Sequence, residues 1–309
     1  KGEVTLRNNS LFIKPLDSTL KNLSGKFSFI NGDLQSEPLT ASWFNQPLNV
    51  DFSTKEGAKA YQVAVNLNGN WQPAKTGFLP AAVNEALSGS VAWDGKVGIE
   101  LPYHAGATYN VELNGDLKNV SSHLPSPLAK PAGEPLPVNV KVDGNLNSFE
   151  LTGQAGADNH FNSCWLLGQK LTLDRAIWAA ESKTLPPLPE QSGVELNMPP
   201  MNGAEWLALF QKGAAESVGG AASFPQHITL RTPMLSLGNQ QWNNLSIVSQ
   251  PTANGTLVEA QGREINATLA MRNNAPWLAN IKYLYYNPSV AKTRGDATQS
   301  SPFPTTERI

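Results

Sequence analysis

Apolar and polar positions alternate through much of the chain. Leu23, Gly25, Phe27 and Phe29 alternate with Ser24, Lys26 and Ser28, and Asn31-Gly32-Asp33 follows. That pattern predicts a strand running into a tight hairpin turn. A second hairpin is predicted from Val91 and Trp93, through Asp94-Gly95 as its turn, to Val97, Ile99 and Leu101, with Pro102 ending the ladder. Strands also resume at Ile228, Leu230, Leu235 and Leu237.

The sharpest signal is a recurring pattern: apolar, polar, apolar, Asn or Asp, Gly, Asn or Asp, then a large apolar residue. Its copies are Val65-Asn-Leu67-Asn-Gly69-Asn-Trp71, Val111-Glu-Leu113-Asn-Gly115-Asp-Leu117 and Val140-Lys-Val142-Asp-Gly144-Asn-Leu146. Weaker echoes stand at Leu87-Ser-Gly89, Leu151-Thr-Gly153 and Val258 to Gly262. Side chains alternate across a strand, so each copy sets Val, the second apolar residue, Gly and the last apolar residue on one face and polar residues on the other. A glycine inside such a run marks a bulge, a bend or a close approach of backbones. The competing reading makes Asn-Gly-Asn a turn between two short strands. The copies are spaced too unevenly for a β-helix or a propeller.

Two Pro-rich stretches, Ser121 to Pro137 and Leu185-Pro-Pro-Leu-Pro189, read as extended polyproline-like crossings. Asn202-Gly-Ala-Glu205 resembles a capping box, and Trp206, Leu209, Phe210 and Gly213 follow it at helical spacing, which predicts one short helix near 203–218 ended by Gly219-Gly220. Within one continuous repetitive segment, 1–309, this gives a first β-rich stretch at 1–184, a Pro-rich linker plus helix at 185–220, and a second β-rich stretch at 221–309. The Ser/Thr/Pro-rich end from about Pro288 reads as an irregular connection.

Charged residues make up only 16% of the chain, and its polarity is carried instead by Asn, Ser and Thr, which disfavour helix interiors. The formal net charge is −2 and the basic residues are scattered, so there is no footprint for nucleic acid or an anionic surface. Cys164, the one cysteine, has no internal disulfide partner, and no Cys/His cluster has metal-ligand spacing. No metal or cofactor is expected. Nucleophile elbows, phosphate-binding loops and dinucleotide fingerprints are absent, and no catalytic residue is assigned. Asp143 and Glu150 could pair across a groove as in a glycosidase, but the slot of Asp143 holds Asn68 and Asn114 in the other copies. No run of about 18 apolar residues is present, so no membrane-crossing helix is expected here. The chain starts inside an alternating run and stops at Ile309 without a closing element, as a piece of a longer protein would.

About 20 strands are expected at the usual spacing of all-β chains. A sheet of that size must curl or split, since open sheets rarely exceed about ten strands. Two solutions cover its apolar face: a closed sandwich, serving structure or adhesion, or incomplete closure into a trough whose lining long hydrocarbon can fill. The expected fold is mainly β, a long, curled, largely antiparallel sheet forming an open hydrophobic groove. Its expected lining is Phe27, Phe29, Val65, Leu67, Trp71, Val97, Ile99, Val111, Leu113, Leu117, Val138, Val140, Val142 and Leu146, with Trp206, Leu209 and Phe210 on a helix that could cover it. A carbohydrate-binding β module, with sugars stacked on the tryptophans, is a third reading.

The loose Val-x-Leu-x-Gly-x-Leu strands, the Pro-rich run Leu124-Pro-Ser-Pro-Leu-Ala-Lys-Pro131 through Gly133-Glu-Pro-Leu-Pro137, and the Glu205-Trp206-Leu-Ala-Leu-Phe210 helix together resemble the AsmA-like proteins of the Gram-negative envelope. The resemblance covers essentially the whole chain, as a middle portion of a longer protein. It implies the periplasmic part of a protein anchored in the inner membrane by a helix outside this segment, with a long curled sheet carrying phospholipid acyl chains between inner and outer membranes. It implies other envelope proteins at the ends of such a bridge, and no catalytic motif.

Overall fold

The computed structural model describes residues 1–214 and 222–287. β1 (Gly2–Ile13) and β2 (Ser18–Ile30) pair antiparallel, and β2 turns into β3 (Asp33–Ser36) through Asn31 and Gly32. Both turn residues have positive φ, 53° and 90°, as the mirror-image turn favoured by hairpins requires. The meander continues through β4 (Leu39–Trp43), β5 (Gln46–Glu56) and β6 (Ala60–Trp71). An excursion follows, containing α1 (Ala81–Asn84) and β7 (Leu87–Ser88), before β8 (Val91–Pro102) and β9 (Thr108–Asp116). A second excursion carries β10 (Ser121–Ser122), which pairs with β7 as a separate two-stranded sheet.

β11 (Pro137–Asn145), β12 (Ser148–Ala155), β13 (Asn159–Leu167) and β14 (Leu171–Ala179) extend the main sheet antiparallel. Then β15 (Gly193–Asn197) pairs parallel with β14. After β16 (Met201–Asn202), α2 (Gly203–Ala214) and β17 (Ala222–Ser223), β18 (Ile228–Leu237) pairs parallel with β15. β19 (Gln240–Thr252), β20 (Gly255–Gln261), β21 (Ile265–Arg272) and β22 (Leu278–Leu284) complete the sheet antiparallel. The described residues thus form one mostly antiparallel sheet of 20 strands beside the two-stranded one.

Several expectations need correction. Asp94-Gly95 is not a turn: β8 runs straight through it, paired along its length with β6 and β9. Gly95 supplies room, because a Cβ there would lie 2.6 Å from Leu113 Cδ2 on the next strand. The stretch 121–137 is a compact fold and not an extended crossing. Lys130 and Ser122 exchange backbone hydrogen bonds of 3.0 and 2.8 Å, and Lys130 Nζ donates to the carbonyls of Val120 and Pro131 at 2.9 Å. There are two α-helices in the described residues. The anticipated one starts where predicted, with Asn202 Oδ1 accepting from the amides of Ala204 and Glu205. Residues 215–218 of the predicted helix, the Gly219-Gly220 stop and the end from Pro288 lie outside the described residues.

In the recurring pattern the strand reading prevails over the turn reading, most fully in the first copy. There Val65 to Trp71 is all strand. The second copy leaves the strand at Leu117, which opens a 3-10 turn, and the third at Leu146, in the β11–β12 connection.

Candidate functional site

Cross-strand register organises one face of the sheet. Starting at β5, one row runs Val50, Leu67, Gly95, Leu113, Val140, Gly153 and Phe161. It continues Trp178, Leu196, Leu230, Ile247, Ala260, Ala267 and Ile281 to the last strand. A second row, two residues away, runs Phe52, Val65, Val97, Val111, Val142, Leu151 and Ser163. It continues Ala176, Val194, Ile228, Ser249, Val258, Leu269 and Ala279. Directly paired residues share a face, so both rows lie on the same side of the sheet. Neither contains a charged residue. At about 4.8 Å per strand, each extends roughly 60 Å.

On the same face, flanking these rows, glycines stand beside large side chains. Trp93 faces Gly69 on one neighbour and Gly115 on the other, and Gly144 lies between Tyr109 and Phe149. Between β6 and β12 the apolar members of both rows are half-buried: they touch one another, and none reaches the burial of a closed core. Burial pushes the Tyr109 hydroxyl pKa up, which keeps the group neutral on this face.

From β5 to β12 the opposite face is wet. Asp51, Asn66, Lys96, Glu112, Lys141 and Thr152 form one of its rows. Side-chain amides link its strands: Asn66 Nδ2 donates to Asp51 at 2.9 Å, and Asn139 Nδ2 donates to Asn114 at 2.7 Å and to Glu112 at 3.0 Å. Asp143 and Glu150 oppose each other here, on exposed positions of a hairpin. The Pro-rich crossing after β14 lies against this side, where Pro186 and Pro189 carbonyls accept from Asn162 and Arg175.

Two closely packed clusters lie toward one end of the strands. Leu20, Ala41, Leu48 and Trp71 form a buried cluster with Trp43, Phe44, Leu67 and Trp93 around it. Further along, Met198, Met201, Leu235, Trp242 and Leu245 form another, against which Trp178, Leu196, Leu230 and Ile247 of the first row pack. Trp206 of α2 packs on this second cluster, which places the helix on the apolar side.

Of the residues anticipated on this face, Leu67, Leu113 and Val140 belong to the first row, and Val65, Val97, Val111 and Val142 to the second. Val138 shares the face opposite Gly115, and Ile99 shares it opposite Tyr109 and Val63. Phe27 joins it through Phe52, ring centroids 5.7 Å apart, with Phe29 beyond at 43% exposure. Trp71 is buried in its aromatic cluster. Leu117 sits on its turn, and Leu146, 63% exposed, projects from a connection and lies on neither row. On α2, Trp206 and Leu209 are half-buried and Phe210 is exposed. Missed were Phe52, Leu151, Phe161, Trp178, Leu196, Leu230 and Ile247. The alternation of Phe161, Ser163 and Trp165, and of Ile228 and Leu230, carried a usable signal.

No helix of the described residues is long and apolar enough to cross a membrane. The family model described as "YhdP protein" matches residues 1–308. The chain is 97% identical over 309 residues, 100% of its length, to the protein of Escherichia coli (strain K12) described as "Intermembrane phospholipid transporter YhdP". It spans 24% of that protein. No solved structure matches the chain.

Proposed function

The chain belongs to the YhdP family, and on that premise we propose that it is a segment of a non-enzymatic conduit that carries phospholipids between inner and outer membranes. In this reading the chain is periplasmic, its sheet curls into an open groove, and the two uncharged, mostly apolar rows are the groove floor on which acyl chains lie. The lining is then Phe27, Val65, Leu67, Val97, Ile99, Val111, Leu113, Val138, Val140 and Val142, together with the row members named above that the sequence pattern missed.

The observation that carries the reading is the unbroken pair of uncharged rows over fourteen consecutive strands. A lipid crossing an aqueous compartment must keep its methylenes out of water at about 0.8 kcal/mol each. Continuity of the lining therefore matters more than any single contact. A closed structural sandwich would bury these side chains between two stacked sheets. The valines and leucines of β6 to β12 stay half-buried on one sheet instead.

The test is native mass spectrometry of the purified chain, with lipid extraction. Phospholipid should co-purify, and should be lost when Leu67, Leu113 and Val142 are each changed to Asp while far-UV circular dichroism is unchanged. A folded chain that never carries lipid, even after incubation with phospholipid vesicles, would refute the reading.

A further inference from the structure

α2 reaches well beyond the strands that flank it. Its Trp206 ring packs on the buried cluster of Met198, Met201, Leu235, Trp242 and Leu245, while the indole Nε1 donates to the Ser126 carbonyl at 3.0 Å. Ser126 belongs to the excursion between β9 and β11, 80 residues earlier in the chain. Further along the helix, Lys212 pairs with Glu85, just after α1 in the excursion between β6 and β8. Six strand spacings separate β8 from β15, roughly 30 Å at about 4.8 Å each. α2 and the two excursions meet at one end of these strands, on the apolar side, and bar that stretch of the sheet's rim.

The two polar joints of this bar, to Ser126 and Glu85, are each weak taken alone. The Lys212–Glu85 pair is solvent-exposed, 54% and 58% for the two side chains, and exposed pairs hold little. The Trp206–Ser126 bond is a single neutral hydrogen bond. Phe210 and Leu207, 67% and 38% exposed, add no closed packing on the outer side of the helix.

We propose that α2 is a gate: latched to Ser126 and Glu85 it bars the rim over β8 to β15, and it must lift for a phospholipid to occupy or pass that stretch. The inference rests on the conduit reading and adds a moving part to it. Acyl chains can slide along an apolar floor, but the headgroup stays in water and projects through the open rim. A bar across the rim therefore stops the headgroup without touching the chains.

The experiment uses the whole chain with Cys164→Ser. Glu85→Cys and Lys212→Cys are joined by a reducible bis-maleimide, since their long side chains leave the backbones too far apart for a direct disulfide. A photoreactive phenylalanine is placed at Val140, under the bar, or at Val258, beyond it. Each protein is incubated with vesicles of dioleoyl phosphatidylcholine carrying a fluorescent phospholipid, then irradiated. With the linker closed, labelling at Val140 should fall at least tenfold while labelling at Val258 persists, and reduction should restore it. Trp206→Phe, which keeps an aromatic ring and removes the N–H donor, should speed labelling at Val140 in the unlinked chain. Equal labelling at Val140 with the linker closed and open would overturn the gate and leave the conduit standing. Absence of labelling at both positions with the linker open would refute the conduit, and the gate with it.

Discussion

Gly89 and Gly106 separate two uses of the same residue. Gly89 has φ +96°, and a Cβ there would lie 2.0 Å from the Asn119 carbonyl oxygen, a backbone atom that cannot swing aside. It locks the excursion before β8 against the one before β11, and Gly89→Ala should destabilise the chain by about 1–3 kcal/mol through backbone strain. Gly106, with nothing within 4 Å of its Cβ direction, should accept alanine with no loss. Thermal unfolding of the two variants side by side checks the contrast, and equal midpoints would contradict it. At this scale the sequence was partly legible. It identified glycine within a strand as a place of bulge, bend or close approach, and Gly69, Gly115 and Gly144 are places of close approach. It misread Asp94-Gly95 as a turn, because the same dipeptide chemistry suits both and only the neighbouring strands decide between them.

Among the elements, the hairpin pairs follow from alternation and turn residues, so β2, β3 and the start of α2 were foreseeable from Asn31-Gly32 and Asn202. The parallel step from β14 through β15 to β18 was not. It depends on where the Pro-rich crossing and α2 carry the chain, and pairing direction leaves no local mark on an apolar strand. The β20–β21 turn illustrates an electrostatic fastening. Desolvation acts to raise the Glu264 carboxyl pKa, but two hydrogen bonds of 2.7 Å from the Asn243 amide and side chain, with Arg263 nearby, outweigh it and hold the group below its ordinary value of 4.5. A carboxyl whose folded pKa is depressed stabilises the fold above the unfolded pKa and loses that contribution as pH falls through the folded one. The midpoint difference between the parent chain and Glu264→Ala should therefore be full near neutral pH and shrink on acidification below about pH 4.5. A pH-independent difference would assign Glu264 a packing role only.

At the scale of the whole sheet, each strand bonds to its immediate neighbours, with β1 and β22 outermost among the described strands. Stability in such an array is close to a sum of neighbour terms, as in repeat proteins. Hydrogen exchange should be slowest in β6 to β14 and fastest in β22, whose seven residues are all exposed. Uniform protection across the sheet would instead mark a single cooperative core. The apolar rows were most legible where the seven-residue pattern recurs; from β12 onward only local alternation, as at Phe161 and Leu230, marked them, because which residues fall into one row depends on register, a property of the assembled sheet that no single strand encodes.

The pairing of glycine with a large neighbour also bears on friction. Where Trp93 stands between Gly69 and Gly115, or Gly95 between Leu67 and Leu113, bulk on one strand fills the space left empty on the next, so the floor is levelled from strand to strand. On the proposed floor, levelled in this way, a hydrocarbon would meet similar dispersion energy at each step of about 4.8 Å. Its free-energy profile along the sheet is then shallow and repetitive: strong attraction perpendicular to the floor coexists with weak resistance along it.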